Sequence, residues 1–227
     1  MAVYDLEEQE QIEDLKAWWA QYGKYVATAV VTVAVIVIAV QGWRWYQTKQ
    51  SETASVLYQA VSQAMHANDL AKAKDPAAQL ATQFSGTAYA PRGALLYAKL
   101  LYDSGDKVGT KAQLQWVIDH SSEEELKAVA RYRLAQVLLD EKAYDDALRA
   151  LDAKTDDAFV PLYADLKGDI LVAAGKSADA RTAYQTAFTK LDAKSAYRAY
   201  VQAKLDSLGG PLAPQASTTT PTPAAAK

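Results

Sequence analysis

The sequence predicts an all-α protein, with a single N-terminal transmembrane helix followed by a helical-hairpin solenoid. Three observations carry that expectation. Residues 25–43, YVATAVVTVAVIVIAVQGW, hold no charged side chain. From there to Leu208 the chain is rich in Ala, Leu, Asp and Lys, and few stretches alternate as strands do. Within that region one pattern of small and bulky residues returns at a step of 33 positions.

Composition narrows the chemistry. The 227 residues carry 24 Lys and Arg against 27 Asp and Glu, a net charge of -3. A chain this mildly acidic has no electrostatic footprint for nucleic acid. It holds no cysteine, which excludes disulfides, thiolate metal sites, iron–sulfur clusters and a thiol nucleophile. With His66 and His120 as its two histidines, it cannot build a His-rich metal site. No cofactor is expected.

The elements follow in chain order. Residues 1–24 form an acidic tail, with Asp5, Glu7, Glu8, Glu10, Glu13 and Asp14. Ile12, Leu15, Trp18, Trp19 and Tyr22 recur at helical spacing and lay an apolar stripe along it. That stripe is either one face of a solvated cap or a docking helix for a membrane partner. Residues 25–46 form the anchor. Nineteen uncharged residues at about 1.5 Å each give roughly 28 Å of helix, close to the ~30 Å hydrocarbon core of a lipid bilayer. Tyr22 and Tyr25 stand before the span, and Trp43, Trp45 and Tyr46 after it, as an interfacial aromatic belt would. The preceding residues are acidic and no small-x-small site follows, so the segment reads as an uncleaved anchor rather than a signal peptide. Lys16 and Lys24 precede the span while Arg44 and Lys49 follow it. That tie leaves the orientation open on charge.

Residues 47–208 are the helical domain. Trp43 to about Ala67 lacks Gly and Pro and continues as helix out of the span. Eight or nine helices of 10 to 19 residues follow in the reading of the pattern. Asp75-Pro76 is expected to cap and open one of them. Ser121-Ser122-Glu123-Glu124-Glu125 opens another with acids in its first turn, and Gly105 and Gly175 stand at helix ends. Ala135, Leu138, Ala147 and Leu151 recur as Gly168, Leu171, Ala180 and Tyr184. A third copy is read as Ala98, Leu101, Gly105, Ala112 and Trp116, with two extra residues near Val108 and Gly109. Ser51 to Thr87 reads as a degenerate first copy with Leu80 and Phe84 on its second helix. Tyr197, Tyr200, Val201 and Leu205 mark a terminal capping helix. Residues 209–227, Pro-, Thr- and Ala-rich and without an aromatic residue, are expected to be disordered.

The repeat, with Gly168, Leu171, Gly175, Ala180, Tyr184 and Ala187 in its best copy, resembles the tetratricopeptide repeat. The resemblance implies that the first helix of each pair lines a concave surface. That surface would hold Arg92, Leu95, Lys99 and Tyr102, then Tyr132, Gln136 and Leu139, then Leu162, Asp165 and Asp169. Many such domains grip a terminal carboxylate with Lys and Asn. Here Lys99 stands among Tyr132, Gln136, Asp165 and Asp169, so the mixed surface fits transient polypeptide contact better. These side chains can equally be packing residues.

Catalytic signatures are missing from the sequence. It has no nucleophile elbow, phosphate loop or GxGxxG. The clusters at 123–125, 145–146 and 156–157 lack calcium-loop spacing. A binding protein, not an enzyme, is expected.

The order of parts resembles the YfgM family of ancillary SecYEG translocon subunits. It rests on the acidic tail, one anchor, Gly42-Trp43-Arg44-Trp45-Tyr46, Leu126-Lys127-Ala128-Val129, Arg133-Leu134-Ala135 and Ala164-Asp165-Leu166-Lys167-Gly168-Asp169. The resemblance covers about residues 1–208 and departs at the tail from Gly209. It implies a single-pass protein of the bacterial inner membrane, with a cytoplasmic amino terminus and a periplasmic domain. It also implies partnership with the lipid bilayer, the SecYEG translocon, the periplasmic folding factor PpiD and exported polypeptides. Two other readings stay open: a pure assembly scaffold, and a membrane-anchored adaptor that regulates a stress-response signalling protein.

Overall fold

The computed structural model describes residues 3–209. Among the described residues are nine helices and no strand. They are α1 (Val3–His66), α2 (Leu70–Gln83), α3 (Tyr89–Asp103), α4 (Lys107–His120), α5 (Glu124–Asp140), α6 (Tyr144–Leu151), α7 (Val160–Ala173), α8 (Ser177–Lys190) and α9 (Tyr197–Ser207). The chain divides into two compact units, one ending at Ser55 and one beginning at Val56. Apart from Gly209, the expected Pro/Thr/Ala tail lies outside the described residues.

In the first unit the tail, the uncharged span and its exit form one unbroken stretch of α1. Its most apolar window has a mean hydropathy of 2.2 and buries none of its residues against protein, so this helix is long and apolar enough to cross a membrane. The Val, Ile and Thr of the span disfavour helix in water, but in hydrocarbon a helix is what satisfies every backbone group. Thr28 and Thr32 donate their hydroxyl protons back to the carbonyls of Lys24 and Thr28, at 2.7 and 2.8 Å, so neither hydroxyl proton is left without an acceptor.

In the second unit the helices pair into hairpins closed by one recurring turn. The end of α1 meets α2, α3 meets α4, α5 meets α6, and α7 meets α8. Each turn holds one left-handed residue: Asn68 (φ 53°), Gly105 (87°), Lys142 (60°) and Gly175 (76°). Behind it the N–H of Asp69, Asp106, Ala143 and Lys176 donates to the carbonyl of Ala64, Leu101, Leu138 and Leu171, at 2.8 to 2.9 Å. This is the Schellman closure, and it covers carbonyls that a helix end leaves orphaned.

That turn sets the register and corrects the reading of the third copy. Val61, Ala98, Ala135 and Gly168 hold the small position of each first helix. Ala73, Thr110, Ala147 and Ala180 hold the facing position of the second, all buried. The bulky place falls to Ala77, Leu114, Leu151 and Tyr184. Thr110 and Leu114 therefore replace the expected Ala112 and Trp116, and the turn carries no extra residues. Ala112 is exposed and Trp116 half-buried. A threonine fits among alanines because its hydroxyl donates to the Asp106 carbonyl at 2.7 Å.

Two further expectations change. Asp75-Pro76 does not open a helix; α2 begins at Leu70, where the Asp69 carboxylate accepts from the Lys72 N–H at 3.0 Å, and Pro76 lies inside it. The earlier cap captures the helix start. Helix α6 has 8 residues, shorter than expected. The polar run after Leu151 turns instead, with the Asp156 carboxylate accepting from the Ala158 N–H at 2.9 Å. The degenerate first copy does form a hairpin, with Leu80 fully buried and Phe84 at the cap just past α2.

The core is a series of layers. Leu95, Leu114, Val117 and Val137 join α3, α4 and α5. Ala135, Leu151, Tyr163 and Ile170 join α5, α6 and α7. Leu171, Tyr184, Val201 and Leu205 join α7, α8 and α9. Each hairpin buries its face on the next, as a solenoid requires.

Candidate functional site

Stacking the first helices side by side leaves a cleft of about 470 Å³. Helix α3 contributes Lys99, Tyr102 and Asp103, α5 contributes Arg133, Gln136, Leu139 and Asp140, and α7 contributes Leu166 and Asp169. Thr110 and Leu114 of α4 close its floor. Lys99 Nζ lies 2.5 Å from Asp103 Oδ2. The Tyr102 hydroxyl donates to Asp140 across the two hairpins. That bond, with burial adding to it, pushes the Tyr102 pKa up and keeps the phenol a donor. Leu139 and Leu166 supply apolar surface between these polar groups.

Five of the ten residues expected on the concave surface meet here: Lys99, Tyr102, Gln136, Leu139 and Asp169. Arg92 stands aside, its guanidinium donating to both oxygens of Glu123 at 2.7 and 2.8 Å. Tyr132 rests on the ring of Tyr163, centroids 6.3 Å apart, and burial raises its pKa. Leu162 is exposed in the first turn of α7, outside the cleft lining. Leu95 and Asp165 leave the expected surface. Leu95 is buried in the α3–α4–α5 layer, because the hairpin stack turns that face inward. Asp165 is 2% exposed and ion-paired.

The partner of Asp165 comes from α9. Lys204 Nζ lies 2.9 and 3.0 Å from its two oxygens and 2.7 and 2.8 Å from those of Asp169. Tyr197 donates to Asp165 at 2.5 Å and Tyr184 to Asp169 at 2.7 Å. The Tyr200 ring stands 4.7 Å from the ammonium and Tyr184 5.4 Å. Burial opposes the charge on Lys204, but the bonds from Asp169 and Asp165 outweigh it and raise its pKa. Among the described residues, no three His, Asp or Glu side chains converge as metal ligands would.

The matching families agree with this architecture. A tetratricopeptide repeat-like domain family matches residues 16–210. A Neisseria gonorrhoeae protein named ancillary SecYEG translocon subunit is 32% identical over 212 residues, which is 89% of this chain and 98% of that protein. An Escherichia coli protein of the same name is 31% identical over 209 residues, 92% of this chain and 99% of that one. The Haemophilus influenzae relative is 32% identical over 187 residues, 81% and 90% of the two chains. The chain belongs to the family of ancillary SecYEG translocon subunits. No solved structure matches it.

In this family member, sequence reasoning missed Arg133, Asp103 and Asp140 in the cleft, and Lys204 behind it. Asp103 and Asp140 close the last turns of α3 and α5, one repeat apart, a spacing that was there to be read. Lys204 gave no such signal, since its partners lie 35 and 39 residues away.

Proposed function

We propose that the chain is an ancillary subunit of the SecYEG translocon. It assists proteins exported across the inner membrane by binding them or by recruiting periplasmic chaperones, PpiD among them. The observation that carries this reading is the similarity to relatives of that name over about nine-tenths of both chains. A short tail at 1–24 stays in the cytoplasm, 25–46 anchor in the bilayer, and 47–208 work in the periplasm. The cleft supports polypeptide contact: donors, acceptors and leucine surface alternate along it, and a chain of mixed sequence needs all three. A helical scaffold of this kind supports a binding role rather than an enzymatic one.

Topology tests the reading first. In spheroplasts, protease should digest the domain after Trp45 while the inner membrane is intact. Resistance until that membrane is lysed would place the domain in the cytosol, ending the translocon-exit role in favour of the adaptor. Binding is tested by aggregation of an unfolded client. The intact domain should suppress it, and Tyr102→Ala with Gln136→Ala, both in the cleft lining, should lose that suppression. Unchanged suppression would remove the cleft from the function.

A further inference from the structure

One carboxylate belongs to two structures at once. Asp169 lines the cleft, and it also holds the ammonium of Lys204 on α9. In the repeat register, Asp165 and Asp169 occupy the positions that Leu95 and Lys99 hold in α3, and Tyr132 and Gln136 in α5. The last repeat thus presents two carboxylates on the face where its neighbours present apolar, amide or cationic groups. Lys204 bridges both, its single positive charge offsetting one of the two negative charges.

The helix that carries Lys204 is held lightly by apolar packing. Helix α9 buries Val201 and Leu205, whereas α7 buries eight residues along its length. Tyr197 and Leu208 pack partly against the same layer and the Arg198 guanidinium lies over the Phe188 ring, while the hold on the two carboxylates is polar: Lys204 and the Tyr197 hydroxyl bind them, with Tyr200 half-exposed over the ammonium. A polar hold of this kind is exchangeable, because another cation with a flanking apolar residue offers the same contacts. Apolar burial is not exchangeable in that way.

We propose that α9 is a displaceable latch on the cleft: Lys204 stands in for a lysine or arginine side chain of a bound polypeptide, and a cationic segment reaching Asp169 through the cleft releases α9. This rests on the reading that the cleft binds polypeptide. It adds a preference for basic segments flanked by apolar residues, and a helix that opens when they bind.

The test uses the full chain in detergent micelles and two labelled peptides, Leu-Lys-Tyr-Lys-Leu and its Glu counterpart. Hydrogen exchange of the amides of residues 197–207 is followed beside binding. The Lys peptide should bind the natural chain and speed exchange in α9 at least tenfold; the Glu peptide should do neither. Lys204→Met and Val201→Ser, the second keeping the lysine, should each show fast exchange in α9 alone and bind the Lys peptide about five- to tenfold more tightly. If the Lys peptide binds while α9 stays protected, the latch is overturned and the cleft reading stands. If neither peptide binds the natural chain or either variant, both fall together. Equal binding of the Lys and Glu peptides would overturn the assigned charge preference.

Discussion

Gly168 stands where an added β-carbon would lie 2.3 Å from Tyr184 Cε1 and 2.5 Å from Cδ1. The ring cannot swing away, since it is buried and its hydroxyl is tied to Asp169. On an exposed helix a Gly-to-Ala change gains up to about 1 kcal/mol. Here overpacking, typically about 1–3 kcal/mol, outweighs that gain. Gly168→Ala is expected to destabilise the domain by about 1–2 kcal/mol in urea denaturation; a gain would show that the contact yields. Lys142 gives the opposite sign. Its φ of 60° lies in the left-handed region, where Gly105 and Gly175 serve the equivalent turns. A side chain there costs about 1–2 kcal/mol, and glycine loses about half of that advantage through its freer unfolded chain. Lys142→Gly should therefore raise stability by roughly 0.5–1 kcal/mol, read as a higher thermal midpoint, and an unchanged or lower midpoint would refute the argument.

Among the helices, α2 carries the clearest internal conflict. Pro76 sits in its interior, so the Lys72 carbonyl receives no N–H from four residues on. Interior proline costs about 3 kcal/mol, partly offset by the 0.4–1 kcal/mol it removes from unfolded-chain freedom. Pro76→Ala is expected to stabilise the domain by roughly 2 kcal/mol, with slower hydrogen exchange along α2. No change in either would mean that the helix has already absorbed the break. The links between hairpins are of another kind. Arg92 to Glu123 and Lys111 to Glu141, at 2.7 and 2.6 Å, are partly exposed ion pairs. Pairs of that class contribute at most about 1 kcal/mol, so the layered apolar core, not these bridges, holds the stack.

The domain taken together responds to alkali through its tyrosines, several with pKa values raised by burial, and most strongly through one cluster. Lys204 is a base with a raised folded pKa. Tyr184 and Tyr197 are acids, raised first by burial and then by their bonds to Asp169 and Asp165. All three therefore bind their protons more tightly folded than unfolded. The stability they add is complete below about pH 10, the ordinary range of these groups, and is lost as pH rises through the folded values. The urea midpoint should stay level from about pH 7 to 9 and fall beyond about 10. Lys204→Met should flatten that fall, and a parallel profile would show that the ammonium contributes nothing to it.

Features encoded by consecutive residues can be read from the chain before it folds. The uncharged span, the anchor it forms, the hairpin repeat and the glycine turns at 105 and 175 were all legible, because helix faces and caps depend on neighbours one turn apart. Five of the ten surface residues were placed in the cleft by the same periodicity. Tertiary structure decided the rest. Thr110 and Leu114 took the core positions that Ala112 and Trp116 matched in type, because the turn at Gly105, not residue identity, fixes the register. Asn68 and Lys142 close turns like glycine, because the hairpins hold them there. Asp165 passed from surface to buried ion pair because Lys204, 39 residues on, arrives with α9. Superhelical stacking sets such meetings, and no spacing within a single helix reports them.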